Sequence, residues 1–448
     1  MSVENEREET EMSQDTLSFE TRQIHAGYNP KEHNNAVNPP IYQTAGFDLT
    51  DIDRARRLWT GAESGGIYSR VGNPTVGFLE ERIRQLDGGT GAIAFSSGMA
   101  AIVLTLLQLG ENGGNIVSGS NLYGAAQETL THFLPKFGIT TKFVKERHDP
   151  NAYEELIDEN TKAVYLESIS NPNAEIYDLE AIAQVAHRHG VPVVVDNTIA
   201  TPYLFHAFDH GADLIVYSAT KGIDGHGNTI AGLVVEKGGF HYDPARFPQF
   251  YEKSYKMRTL DGVLRTPLEF APDAPFTTAL RIFYLEFIGA TLSPFDAFLV
   301  LQGIETLSVR LDRQIDTTRK VIAFLEEREE VEWVRHPFAK NSPYKQLADK
   351  YFEKGAGAVF SFGFHGTREQ LKVFIESLSV VSYHVNIGDV RTLIANSPET
   401  THAELSPEIH ALADIPGNLV RISVGLEDPD DLIADLTQAF EKAFNTTK

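Results

Sequence analysis

The sequence predicts an α/β fold: a large, mostly parallel sheet with helices on its faces, followed by a small C-terminal α+β domain. Three observations carry this expectation. Val191–Val195 (VPVVV) and Leu214–Tyr217 (LIVY) are too short for helices and rich in branched apolar residues, as strands buried on both faces are. Segments of helical periodicity alternate with such runs, which calls for parallel strands joined by right-handed crossovers. Beyond residue 294 the alternation yields to a long helical stretch and then to strands mixed with amphipathic helices, the pattern of a second unit.

Composition narrows the function classes. With 448 residues, 42% of them hydrophobic, the chain supports two or three domains around a large core. It has no cysteine, so disulfides, thiolate nucleophiles and cysteine-held metals are excluded. A net charge of −23 speaks against a nucleic-acid partner. No apolar run reaches the ~18 residues of a membrane span and the N-terminus lacks an apolar signal region, so no membrane partner and a cytoplasmic location are expected.

Taken in order, residues 1–16 (MSVENEREETEMSQDT) are charged and lack periodicity, which reads as a disordered acidic tail. Residues 17–66 mix Pro39, Pro40 and glycines with scattered aromatics and read as an N-terminal arm that packs on something else, another subunit included. Residues 67–293 make up the large α/β domain. In its first stretch, IYSRVGNPT, Tyr68 and Arg70 share one side of extended backbone and can grip a phosphate together; a surface arginine beside an aromatic is the plainer reading of these two alone. Thr75–Leu86 is amphipathic, with Phe78, Leu79, Ile83 and Leu86 on one face.

Ala92–Phe95 is strand-like, and Ser96, Ser97 and Gly98 turn it into the helix Met99–Leu109. That arrangement offers free backbone amides and a helix dipole to an anion, with Gly98 letting a phosphate approach. Gly89, Gly91 and Ala94 have dinucleotide-fingerprint spacing but precede the strand, and no Walker pattern occurs, so nucleotide chemistry has no support. Asn115–Ser118 is the next strand, and Tyr123 starts the helix after it, where an aromatic either stacks on a flat cofactor ring or fills a core or lid. Lys162–Leu166 is strand-like and ends in ESISNPN, which sets Asn171 at the same sheet edge; Leu179–His189 is helical.

His206 and His210 have the spacing of a helical metal pair but lack a third ligand, so they read as packing histidines, and His226 lies in the glycine-rich loop GIDGHG. Residues 236–293 are an aromatic insertion, either covering a substrate or packing against another surface. Residues 294–448 form the C-terminal domain: a helical stretch to Glu327, a strand Ala358–Phe364, a helix Arg368–Leu378 and a strand Leu419–Val424. In that last strand Arg421 and Ser423 lie opposite the apolar face, which leaves Arg421 available for a carboxylate. Asp428, Pro429 and Asp431 then open the final helix in capping order.

The chemistry concentrates where two strands end. Asp196 closes VPVVVD, and Lys221 follows LIVY after Ser218, Ala219 and Thr220. Ligands of open α/β sheets bind at the carboxyl ends of strands. Opposite charges there fit two readings. One is a buried ion pair that ties two strands together. The other is pyridoxal 5'-phosphate, whose aldehyde bonds a lysine and whose ring nitrogen needs an acid opposite it.

With these pieces in place, YSRVGNPT, SSGMAA, VVVDNT, YSATKG and RISVGLE together resemble the pyridoxal-phosphate enzymes of cysteine and methionine metabolism, cystathionine γ-synthase-like proteins among them, over nearly all of the chain after the tail. The resemblance implies the aspartate aminotransferase-like fold type I of pyridoxal-phosphate transferases. It implies Lys221 as the lysine that bonds the cofactor, Asp196 as the partner of the ring nitrogen, Tyr123 stacked on the ring and Asn171 near the ring hydroxyl. Gly98, Met99, Ser218 and Thr220 match the phosphate cradle. Tyr68 and Arg70 match a pair that reaches the phosphate of a neighbouring subunit, which implies a dimer with shared sites and, by family habit, a homotetramer.

Arg421 matches the arginine for the substrate carboxylate, with Asn386 and Tyr68 beside it. The insertion and the NIGD segment, Asn386–Asp389, look most like the O-acetylhomoserine sulfhydrylases, where several other relatives carry a serine at Asn386. That branch implies γ-replacement on an acylhomoserine by sulfide or a small thiol, giving homocysteine or methionine. A γ-lyase or a cystathionine synthase shares every cofactor residue, and a non-catalytic protein on the same fold is the remaining alternative. Gly222, where an aromatic is common, and NSPETTH, Asn396–His402, depart from the family pattern.

Overall fold

Seven strands build the large sheet of the computed structural model, which describes residues 17–445; the expected tail, 1–16, lies outside the described residues. They are β1 (Gly91–Phe95), β2 (Gly114–Gly119), β3 (Ile139–Val144), β4 (Thr161–Glu167), β5 (Val193–Asp196), β6 (Leu214–Ser218) and β7 (Gly232–Glu236), in spatial order β1-β7-β6-β5-β4-β2-β3. Only β7 runs against the rest, pairing antiparallel with β1 and β6. Successive residues of the central strands serve opposite faces. Val193, Val195 and Ile215 join one core with Leu79, Ile83 and Leu86, whereas Val194, Leu214 and Val216 join the other with Ile102, Leu106 and Leu109. This two-sided burial explains the unbroken apolar runs in the sequence.

The helices begin and end where their punctuation dictates. Helix α1 (Pro74–Asp87) starts with the Asn73 side chain accepting from the Thr75 amide and Pro74 at its first position, and it stops at Gly88 in the left-handed region. Helix α2 (Gly98–Leu109) is capped by Ser97, which accepts from Ala100 N, and α3 (Leu179–Arg188) by Asp178. The aromatic insertion forms a hairpin, β8 (Ser254–Arg258) with β9 (Leu264–Arg265), and short helical turns. Its Phe247, Phe250 and Phe276 pack into the α2 side of the sheet, and the buried Glu236 carboxylate accepts the Phe276 and Thr277 amides at 3.1 and 2.8 Å. The insertion is therefore a packing block on the large sheet.

The helical stretch after residue 294 is two helices, α4 (Pro294–Ile304) and α5 (Leu307–Glu326), broken at Glu305–Thr306. Leu307, Leu311 and Ile315 of α5 belong to the core of the large domain, and Val321, Ile322 and Leu325 to the core of the small one. One helix thus struts the two units against each other. The small sheet contains β10 (Val331–Arg335), β11 (Val359–Phe364), β12 (Ser382–Tyr383), β13 (Leu393–Ala395) and β14 (Leu419–Ser423) in the order β10-β11-β14-β13-β12, backed by α6 (Pro429–Asn445) through Leu432, Leu436 and Phe440. No helix among the described residues is long and apolar enough to cross a membrane.

From the first turn of that strut, buried Arg310 donates to the carbonyls of Gly222 (2.9 Å), Ile223 (3.2 Å) and Gly303 (2.7 Å), gripping the loop just after Lys221. Arg310→Ala should cost about 1–3 kcal/mol for each carbonyl left without a partner. Urea unfolding of the cofactor-free protein reads this as an earlier midpoint, and an unchanged midpoint would show that the grip carries no stability.

Candidate active site

The carboxyl ends of β4, β5 and β6 and the start of α2 converge on one cavity of about 240 Å³, lined by Gly98, Met99, Tyr123, Asn171, Asp196, Ser218, Thr220, Lys221, Asn386 and Arg421. Ten of the twelve residues singled out from the sequence therefore meet in one place. They come from segments as far apart as α2 and β14, and the small domain supplies Asn386 and Arg421 across the strut.

Lys221 and Asp196 make no ion pair with each other, which removes the purely structural reading of the two charges. The Lys221 ammonium instead donates to the side-chain oxygen of Asn386. Burial, and secondarily Arg421, bring its pKa down to about 8. Asp196 is buried, with Oδ1 accepting the Thr198 amide at 3.0 Å and Oδ2 the Tyr165 hydroxyl at 3.4 Å, and burial raises its pKa. No cation among the described residues lies within ion-pair distance of it. Arg421 is 3% exposed and has no carboxylate partner among the described residues; it donates to Asn171 Oδ1 (3.0 Å) and to the Asn386 carbonyl (3.3 Å). Burial lowers its pKa to about 10, so the guanidinium remains charged at neutral pH.

A narrow cradle forms at the α2 end. A Cβ on Gly98 would fall 2.6 Å from the Ser218 Cβ, and the Ser218 amide is held by Thr198 Oγ1 at 2.8 Å. Glycine at the first position of α2 leaves its helix-end amides open to an anion. The residues fit pyridoxal phosphate on this structure's own terms. The cavity holds open backbone amides at a helix N-terminus beside Gly98, an amine of depressed pKa, and a buried carboxylate that lacks a cation among the described residues.

Tyr68 and Arg70 are not brought into this cavity. Tyr68 is 46% exposed, the Arg70 guanidinium sits 5.5 Å from its ring, and Arg70 donates to the Glu286 carbonyl beside a separate open cleft that includes Gln43, Thr44 and Ser293. The histidines play no part in it either. His206 and His210 are not on one helix, His210 stacks on Phe205 and bonds Glu180 at 2.8 Å, and exposed His226 bonds the Asp224 carbonyl. Among the described residues no group of side chains could hold a metal.

Both departures have a physical place. A Cβ on Gly388, whose φ is +70°, would fall 2.5 Å from the Gly222 nitrogen, so backbone of NIGD touches backbone of the lysine loop there. In NSPETTH, Glu399 pairs with exposed Arg368 at 2.8 Å, away from the cavity, while Thr401 lines it. Sequence reasoning missed Glu167, Thr198, Thr401, Ile230 and Val385, which also line the cavity. Glu167 was open to discovery, because it closes the strand KAVYLE as Asp196 closes VPVVVD. The others sit in loops without a pattern.

The Cys/Met metabolism PLP-dependent enzyme family matches residues 20–441 of the chain. The chain is 42% identical over 428 residues to a homocysteine synthase of Schizosaccharomyces pombe, covering 95% of this chain and 98% of the relative. It is 40% identical to O-acetyl-L-homoserine sulfhydrylase 1 of Thermus thermophilus, covering 94% of this chain and all of that one. A Campylobacter jejuni crystal structure that carries a pyridoxyl-lysine-phosphate superposes with a TM-score of 0.89 at 34% identity, over 95% of this chain and 100% of that one.

Only the neutral amine of a lysine attacks an aldehyde. Capture of pyridoxal phosphate by the cofactor-free protein, trapped with borohydride and read as mass added at Lys221, should therefore accelerate through pH of about 8 and level off above it. Acceleration centred near the ordinary lysine value of about 10.4 would contradict the depressed amine.

Proposed function

The chain belongs to the Cys/Met metabolism PLP-dependent enzyme family, and from that premise we propose that it is a pyridoxal-phosphate-dependent O-acetylhomoserine sulfhydrylase of methionine and cysteine biosynthesis. It replaces the acetate of O-acetyl-L-homoserine with sulfide or a small thiol, and works in the cytoplasm. The single observation that carries the reading is the meeting of Lys221, Asp196 and Arg421 around one cavity, each without an ion partner among the described residues. The names of its relatives, homocysteine synthase and O-acetyl-L-homoserine sulfhydrylase, support the choice of reaction.

Bound pyridoxal phosphate supplies an aldehyde that condenses with amines and a protonated ring that accepts electron density from the substrate. Asp196 keeps the ring nitrogen protonated, because a buried carboxylate favours a cation beside it. Gly98, Met99, Ser218 and Thr220 hold the phosphate at the start of α2. Arg421 binds the substrate α-carboxylate, with Asn171 Oδ1 and the Asn386 carbonyl fixing the plane of its guanidinium.

Once the substrate amine takes its place, Lys221 Nζ removes the α-proton and then carries a β-proton; its low pKa suits both tasks near neutral pH. Asn386 Oδ1 steadies that nitrogen between transfers. Tyr123 covers the ring, and burial raises its phenol pKa, so it keeps a proton to donate to the departing acetate. Tyr68 and Arg70, exposed on their own subunit, reach the phosphate of a neighbour in a dimer, and such dimers pair into a homotetramer.

The testing experiment supplies the loaded protein with O-acetylhomoserine, with and without sulfide, and follows homocysteine and keto acid together. Sulfide-dependent homocysteine is expected; keto acid formed without any thiol would make the protein a lyase. Lys221→Ala should leave the protein unable to bond the cofactor and lower turnover by about 10³-fold or more. Arg421→Lys, which replaces a fork with a point charge, should raise KM for the ester about 10–100-fold, seen in steady-state kinetics. Wild-type KM in that variant would release Arg421 from carboxylate binding.

A further inference from the structure

Glu167 ends β4 directly opposite Asp196 in the register of the parallel pair. It is 4% exposed and has no ion-pair partner among the described residues. Its two oxygens are divided between two backbone amides. Oε1 accepts from Tyr123 at 2.6 Å and Oε2 from Asn171 at 2.9 Å. Both residues line the cavity, Tyr123 at the N-terminal boundary of a five-residue helix and Asn171 at the start of the loop whose side-chain oxygen receives Arg421.

We propose that Glu167 is a positioning residue that braces the Tyr123 ring and the Asn171 amide against the bound cofactor by gripping both backbones with one carboxylate. The arrangement demands a carboxylate. Two amide donors on two oxygens leave no room for a side-chain amide, which would turn an NH₂ toward one N–H. A buried acid beside a second buried acid is costly to keep, since burial first and Asp196 second raise its pKa well above the usual carboxylate range.

The brace ties the end of β4 directly to Tyr123 and Asn171. Tyr123 has no side-chain hydrogen bond among the described contacts and is 37% exposed, so the position of its ring depends on where its backbone is held. Asn171 in turn sets Arg421 through its side chain, so one carboxylate reaches both the ring and the carboxylate clamp.

The proposal rests on the cofactor reading above, but its test needs no substrate. The variants are Glu167→Gln and Glu167→Asp, and the readouts are the dissociation constant for pyridoxal phosphate and the induced circular dichroism of the bound cofactor per molecule bound. Glu167→Gln should weaken cofactor binding about 10-fold or more and at least halve the dichroic band. Glu167→Asp, which keeps the charge with a shorter reach, should recover part of both. Wild-type affinity and dichroism in Glu167→Gln, whatever happens to its melting temperature, would overturn the brace. Should Glu167→Gln fail to fold, Glu167→Asp decides alone: a diminished band per bound cofactor supports the proposal and a wild-type band overturns it. A wild-type protein that loads cofactor but makes no homocysteine would sink the reaction assigned above and leave this bracing test standing.

Discussion

Charge held out of water without a counter-ion is the constraint on which the rest of this structure depends. Lys221, Asp196, Glu167 and Arg421 surround one cavity, and none has an ion-pair partner among the described residues. Each is costly to desolvate. The protein offsets that cost with fixed hydrogen bonds: Asn386 to Lys221, Thr198 and Tyr165 to Asp196, two amides to Glu167, Asn171 and a carbonyl to Arg421. Such a set is a negative image of its ligand. A cationic ring nitrogen, an aldehyde and a carboxylate would complete it, and the start of α2 offers helix-end amides to a phosphate.

Holding those groups in register requires two domains to behave as one body. Helix α5 does this by burying its first half in the large core and its second half in the small one. Arg310, in its first turn, clamps the carbonyls beside Lys221, while Gln314 one turn later donates to the Asp389 carbonyl of NIGD at 2.8 Å. Lysine loop and Asn386 segment are thereby fixed to the same helix. The contact of Gly388 with Gly222 closes the remaining gap, which gives the glycine of NIGD a steric rationale, since a Cβ there would fall 2.5 Å from the Gly222 nitrogen.

Legibility in the sequence followed burial. Strands buried on both faces, β4, β5 and β6, were readable because their runs are apolar and branched. β3 (ITTKFV) escaped notice because it lies at the sheet edge and carries Thr140, Thr141 and Lys142. β7 (GLVVE) is hard to read because it directly follows the glycine-rich lysine loop, and only its last residue falls within the 236–293 segment. Helix starts at Asn73–Pro74, Ser97–Gly98 and Thr367 lay within a residue or two of expectation, since capping chemistry is local. The break at Glu305–Thr306 carries no proline or glycine of its own and was invisible.

By itself the sequence determined the class of fold, the helix punctuation and, through Asp196, Lys221 and Arg421, the types of group that a site would use, because strand ends and alternation are properties of neighbouring residues. Tertiary structure alone decided that Asp196 and Lys221 do not pair with each other, that Tyr68 and Arg70 stay outside their own chain's cavity, and that Glu167 grips Tyr123 and Asn171. Those outcomes depend on which groups from distant segments meet within about 3 Å, the reach of a hydrogen bond. No local pattern encodes that meeting, since packing between the two cores and the strut across them sets it.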